Sequence, residues 1–113
     1  AVPVALRQEV RPGRASILAT IDDAGPQYYE VMIEQVDYRD ETEGKNMVLH
    51  VVDQKLLDVT GGIVQGLSGS PILQNGKLVG AVTHVFVNDP TRGYGIFAES
   101  MLAAGGEAAE TAA

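Results

Sequence analysis

Two apolar runs, 71–73 and 78–87, are separated by Gln74-Asn75-Gly76-Lys77, the feature that most constrains the fold of this chain. Asn-Gly favours the two-residue turn with positive φ at both central positions, whose twist matches the strands that it joins. The spacing therefore predicts a β-hairpin of fixed register and commits this half of the chain to antiparallel pairing. Upstream, Ile17, Ala19 and Ile21 alternate with Ser16, Leu18 and Thr20, and Tyr29, Val31 and Ile33 alternate with Glu30, Met32 and Glu34. A period of two gives a strand one buried and one wet face.

The remaining punctuation divides the chain into short elements. Val4, Leu6 and Val10 suggest a first strand, broken by Pro12-Gly13 and paired as a hairpin with the strand around 17–21. Residues 22–26 are a turn cluster, and the charged run 37–43, closed by Gly44, reads as a solvated loop. The run 47–52 is apolar at nearly every position except His50, which predicts a strand covered on both faces. Asp53 follows it, residues 54–59 form a helical turn, and Gly61-Gly62 stop that turn. Residues 89–93 read as a further turn, 94–98 as a last strand and 99–104 as a short helix. Many short strands and no long helix predict an all-β fold, a small antiparallel barrel or sandwich over residues 1–104, followed by a flexible tail at 105–113.

Composition removes several function classes. A length of 113 residues with 45% apolar content supports one small domain with a modest core. The net charge of −7 and the lack of any basic cluster argue against nucleic acid as a partner. With no cysteine there is no disulfide, thiolate nucleophile or cysteine-based zinc site. No apolar run approaches the roughly 18 residues of a membrane-spanning helix. Glycines 61, 62, 66 and 69 lack both the spacing and the lysine of a nucleotide-binding loop, and the carboxylates of Asp37, Asp40, Glu41 and Glu43 match no calcium-loop spacing. No cofactor or metal is expected.

Chemistry is carried by Gly66-Leu67-Ser68-Gly69-Ser70-Pro71. A serine attacking a carbonyl builds negative charge on its oxygen, which backbone N–H groups stabilise, and Gly66 and Ser68 could supply two such donors. An ordinary Gly/Ser turn between strands is the other reading of the same residues. Ser70 is the rival nucleophile, but Pro71 restricts its backbone to extended conformations, so Ser68 fits a tight turn better.

The order of elements, a strand, this loop, a hairpin through Asn75-Gly76, the strand 79–85 and a Gly-rich return strand, resembles the second barrel of trypsin-like serine peptidases. That resemblance implies that Thr83, His84 and Val85 pair with an extended substrate, and that Gly93 and Gly95 leave room for a side chain in a specificity pocket. The match is longer for one family. The run 60–72 (Thr-Gly-Gly-Ile-Val-Gln-Gly-Leu-Ser-Gly-Ser-Pro-Ile), Asn75-Gly76-Lys77, the run 80–91 and Gly93-Tyr94-Gly95 resemble the peptidase domain of the stage IV sporulation protein B family, as do Arg11-Pro12-Gly13 and 17–21. The resemblance implies a serine endopeptidase exported into the space between mother cell and forespore, which cleaves a regulatory protein of an intramembrane protease complex. It also implies that these residues are the C-terminal half of a two-barrel domain, whose upstream half supplies the base histidine as partner, so that the fragment alone is inactive and prone to self-association.

The family's acidic triad member falls on Asp53, fifteen positions before Ser68. Asp at that place is equally suited to cap the helical turn from Gln54. His50 reads as a half-buried sheet residue, and His84, on the substrate strand itself, as packing beside the pocket. Two functions of different class remain: a serine endopeptidase with Ser68 as nucleophile, and a noncatalytic β-module that binds an extended peptide along residues 83–85.

Overall fold

The computed structural model describes residues 3–23, 25–39, 45–62 and 67–100. Six antiparallel strands, β1 (Gly13–Thr20), β2 (Pro26–Val36), β3 (Met47–Val51), β4 (Pro71–Gln74), β5 (Lys77–Phe86) and β6 (Asp89–Phe97), close into a barrel in the order β1-β2-β3-β6-β5-β4. The β1–β4 pairs Ser16 with Leu73 and Ile17 with Ile72 complete the ring, so no strand of the barrel is left as an edge along its whole length.

Alternation sets the interior. Ala15, Ile17 and Ala19 of β1, Tyr29, Val31 and Ile33 of β2, and Met47, Leu49 and Val51 of β3 are buried and form one cluster with Ile72, Val79, Val82 and Phe97. Each of the larger side chains, Val, Leu, Ile, Met or Phe, contributes about 1.5–3 kcal/mol by leaving water. Two buried amides close the end of the barrel where β1 begins. Gln74 Nε2 donates to the Arg11 and Arg14 carbonyls while its Oε1 accepts from Arg11 N–H, and Asn46 Nδ2 donates to the Asp37 and Arg39 carbonyls. Such pairing offsets the cost of burying polar atoms.

The hairpin through Asn75-Gly76 forms as its sequence requires, with φ of 53° and 77° at the two turn residues. Its pairing shifts by a bulge between Ile72 and Leu73. The barrel is narrow beside it. A Cβ built on Gly80 would stand 1.9 Å from the Ile96 carbonyl oxygen, and one on Gly95 would stand 2.7 Å from Ile72 Cδ1. Gly95 thus admits the core side chain of Ile72 and does not leave the pocket space expected of it. We predict that Gly80→Ala lowers stability by about 1–3 kcal/mol or more, because backbone must move to relieve the clash. A urea titration giving an unchanged midpoint would contradict that packing.

Two expected pairings differ. The segment before Pro12 is no hairpin partner of β1: Val4 makes a single parallel bridge to Leu78, Arg7–Glu9 form a 3-10 turn, and β1 pairs along its length with β2. Short spacing and Pro12-Gly13 imitated a hairpin, but Tyr29, Val31 and Ile33 offer the longer apolar face. Residues 89–93 are not a turn either. The chain reverses at Val87-Asn88, and β6 starts at Asp89, opposite Phe86. Pro90 is accommodated because the register jumps from Val85–Gly93 to Phe86–Asp89, leaving residues 90–92 without partners on β5. Of the charged loop, residues 37–39 are described and 40–44 lie outside the described residues; so does the tail, while Ala98, Glu99 and Ser100 begin the expected helical turn.

Candidate active site

The strand directions place the ends of β1, β3 and β5 at one mouth of the barrel, together with the starts of β2, β4 and β6. β3 and β4 stand opposite each other in the six-strand ring, so the chain between them must cross this mouth. α1 (Gln54–Thr60) and residues 67–70 belong to this crossing, with Leu56 and Leu67 buried as plugs at 0% and 4% exposure. α1 ends where its sequence says it should, on Gly61 at φ 75°, whose N–H donates to the Leu57 carbonyl.

Ser68 lies on this crossing, exposed at the mouth. Its Oγ donates to the Thr83 carbonyl at 3.3 Å. Around it, Gly69 N–H donates to the Val82 carbonyl at 2.7 Å, Val82 N–H to the Ser70 carbonyl at 3.0 Å, and Ser70 N–H to the Leu67 carbonyl at 3.0 Å. The loop is thus fastened to β5 at the serine and at the two residues after it. Gly69 adopts φ 90°, a conformation that L side chains rarely take, which gives this glycine its reason. The N–H groups of Gly69 and Ser70 are committed to carbonyls of the protein, which narrows the donors for an oxyanion to Ser68 itself and whatever precedes it. Gly66, the second expected donor, lies outside the described residues.

Thr83, His84 and Val85 follow on β5. β4 pairs with β5 only as far as Ala81, and the Ser68 loop takes over at Val82. Beyond that point β5 pairs with β6 through His84, Val85 and Phe86, while the Thr83 carbonyl accepts from Ser68 Oγ. A bulge between Val82 and His84 turns the strand just where the serine meets it. Ser68 thus meets Thr83, and His84 and Val85 follow on the same strand.

Asp53 sits at the same mouth, at the end of β3, and serves as the N-cap of α1. Its Oδ1 accepts from Lys55 N–H at 3.0 Å and Leu56 N–H at 3.2 Å, and its Oδ2 accepts from Glu30 N–H at 3.0 Å. Three backbone donors fix the carboxylate in one orientation, with acceptor capacity left on Oδ2. Asp53 also lines a groove of about 680 Å³ along the outer face of β1, β2 and β4, with Ser16, Tyr28 and Leu73.

Neither histidine accepts the proton of Ser68, whose bond runs to a carbonyl. His50 lies on the outer face of β3, with Nδ1 3.5 Å from Glu34 Oε2. His84 is exposed on β5, opposite Tyr94. Near His50, Arg92 bridges Glu34 (2.8 Å) and Asp89 (2.6 Å), a network that the expected turn at 89–93 concealed. Hydrogen bonding to Arg92 holds the Glu34 carboxyl below its ordinary value, and bonds from Thr91 and Arg92 do the same for Asp89. Depressed carboxyls stabilise the folded state above the usual carboxylate range and lose that contribution as pH falls through the lowered values. The urea midpoint should therefore fall between pH 7 and pH 3, and fall less in Arg92→Gln; an equal drop in that variant would contradict the network's part.

The Ser68–Thr83 bond had no sequence signal, since a carbonyl acceptor carries no residue identity. A family model described as SpoIVB peptidase S55 matches residues 1–102. A search of curated proteins found no match.

Proposed function

Because the chain belongs to the SpoIVB peptidase S55 family, and so has a peptidase role, we propose that it carries the nucleophile of a serine endopeptidase, with Ser68 as the attacking residue. The observation that supports this most is the fastening of the Ser68 loop to β5, which holds an exposed hydroxyl against the Thr83 carbonyl on the strand that parts from β4 after Ala81. An extended peptide laid along residues 83–85 would bring its carbonyl to that hydroxyl, and main-chain pairing would hold it there.

In this reading the Ser68 N–H and the Gly66 N–H stabilise the oxyanion, each donor contributing about 2.7–4 kcal/mol in the transition state. The Thr83 carbonyl holds the serine proton until a base arrives. That base is a histidine of an upstream half of the domain, which we place over the barrel mouth between Asp53 and Ser68. Asp53 then orients the histidine through Oδ2 while α1 and Glu30 keep the carboxylate from turning. The exposed Tyr28 beside Asp53 offers that half an apolar contact, and an isolated chain would expose it to self-association.

The substrate is a regulatory protein of an intramembrane protease complex, met in the space between mother cell and forespore membranes. The contrasting reading, a noncatalytic module binding peptide on the same edge, predicts no hydrolysis in any form of the chain. The test compares peptide hydrolysis by these 113 residues alone and joined to an upstream histidine-bearing half. The expected result is activity in the joined form only. Equal rates in both would overturn the base assignment, and silence in both would favour binding alone.

A further inference from the structure

The cations of this protein are nearly all committed to carboxylates. Among the described residues Arg7 pairs with Glu99, Arg14 with Glu30, Arg39 with Asp37, Lys55 with Asp22, Lys77 with Glu9, and Arg92 with Glu34 and Asp89. Arg11 donates instead to the carbonyls of Gln8 and Val10. Lys45 differs from all of these. Its exposed ammonium lies 5.3 Å from the ring centre of Tyr94, and no carboxylate among the described residues meets it. In a chain of net charge −7 that is a conspicuous placement for a lysine.

Lys45 forms one wall of an outer-face groove of about 570 Å³ that also holds His84, Phe86, Asp89 and Tyr94. Tyr94 is the cross-strand partner of His84, and its ring centre is 4.7 Å from that of Phe86. The groove thus has an aromatic floor with Lys45 and His84 beside it. Its carboxylate, Asp89, is already engaged by Thr91 and Arg92. An aromatic face holds a cation without neutralising it, so the ammonium keeps its attraction for an incoming anion. The groove also takes in Val85, so it shares two residues, His84 and Val85, with the segment 83–85. A strand added along β5 would send alternate side chains to the outer face, beside His84 and Phe86.

We propose that this groove is a side-chain subsite for the bound peptide, that it takes an acidic side chain, and that Lys45 is its specificity-determining residue. The proposal rests on the reading that an extended peptide lies along residues 83–85. At a partly open site the preference for Glu over Ala should be about 1.5- to 5-fold.

The test uses the full-length protein carrying Ser68→Ala, which binds without cleaving, and fluorescein-labelled octapeptide pools in which one position at a time is fixed as Glu, Ala or Lys. Fluorescence polarisation should find a position at which the Glu pool binds about 1.5- to 5-fold more tightly than the Ala pool, with the Lys pool weakest. Lys45→Met should abolish that difference and Lys45→Glu should invert it in favour of Lys. Equal binding of the three pools at every position, a Glu preference that survives Lys45→Glu, or no binding by any pool would overturn the proposal. Digestion of the same pools with Ser68 intact separates the two readings. Lys45-dependent binding without hydrolysis would refute the peptidase reading and keep the subsite, whereas hydrolysis with no acidic preference would do the reverse.

Discussion

Replacing Ser68 with alanine in the full-length protein should lower kcat for peptide hydrolysis by on the order of 10⁶-fold while leaving the barrel folded. The catalytic loss is large because a nucleophile cannot be replaced by its neighbours in the same step. The stability effect is small because the side chain is exposed and makes one 3.3 Å bond to the Thr83 carbonyl, so the unfolding free energy from a urea titration should stay within about 0.5 kcal/mol of the parent. Ser70→Ala is the internal control. Ser70 acts through its backbone, accepting from Val82 and donating to Leu67, and the alanine variant should hydrolyse peptides at near-parental rates. Loss of activity in Ser70→Ala with retention in Ser68→Ala would exchange the roles assigned to the two serines.

The second large effect is at Asp53, where structure and chemistry separate. Asp53→Ala removes a helix cap worth about 0.5–2 kcal/mol and leaves the Glu30 N–H without its acceptor, which costs about 1–3 kcal/mol. A combined loss of roughly 2–4 kcal/mol is a large share of the stability of a small domain. Asp53→Asn is the more informative change. Its amide oxygen can keep the bonds from Lys55 and Leu56, but its NH₂ then faces the Glu30 N–H, so we expect roughly 1–2 kcal/mol of destabilisation. If Asp53 orients the base, the same variant should lose about 10⁴-fold in kcat even where it is fully folded. Activity that merely tracks the folded fraction would reduce Asp53 to a cap and remove it from the catalytic set.

Elements dictated by local chemistry were legible in the sequence. Asn75-Gly76 demanded its hairpin, Asp53 and Gly61 bounded α1, and the alternation of Tyr29, Val31 and Ile33 named the inner face of β2. What depended on long-range closure was not. The partner of β1 was misassigned because Pro12-Gly13 sits where a hairpin turn would, yet β2 covers the whole strand. Pro90 and the polar residues around it read as a turn, although a three-residue irregularity inside β6 absorbs them. Gly95 suggested an open pocket, whereas Ile72 fills the space above it. The meeting of Ser68 with Thr83 was legible from the order of elements, because the loop and the strand after it are adjacent through one hairpin. The aromatic pair Phe86 and Tyr94 and the Lys45 ammonium were missed, because they meet only once the register of β5 and β6 is known.

The central claim, that Ser68 is an activated nucleophile in the assembled domain, is tested most directly by a fluorophosphonate probe. Full-length protein, folded and at neutral pH, should be labelled stoichiometrically, with the adduct mapped to Ser68 by peptide mass and absent in Ser68→Ala. Folded protein that binds peptide but takes no label at Ser68 would contradict the claim.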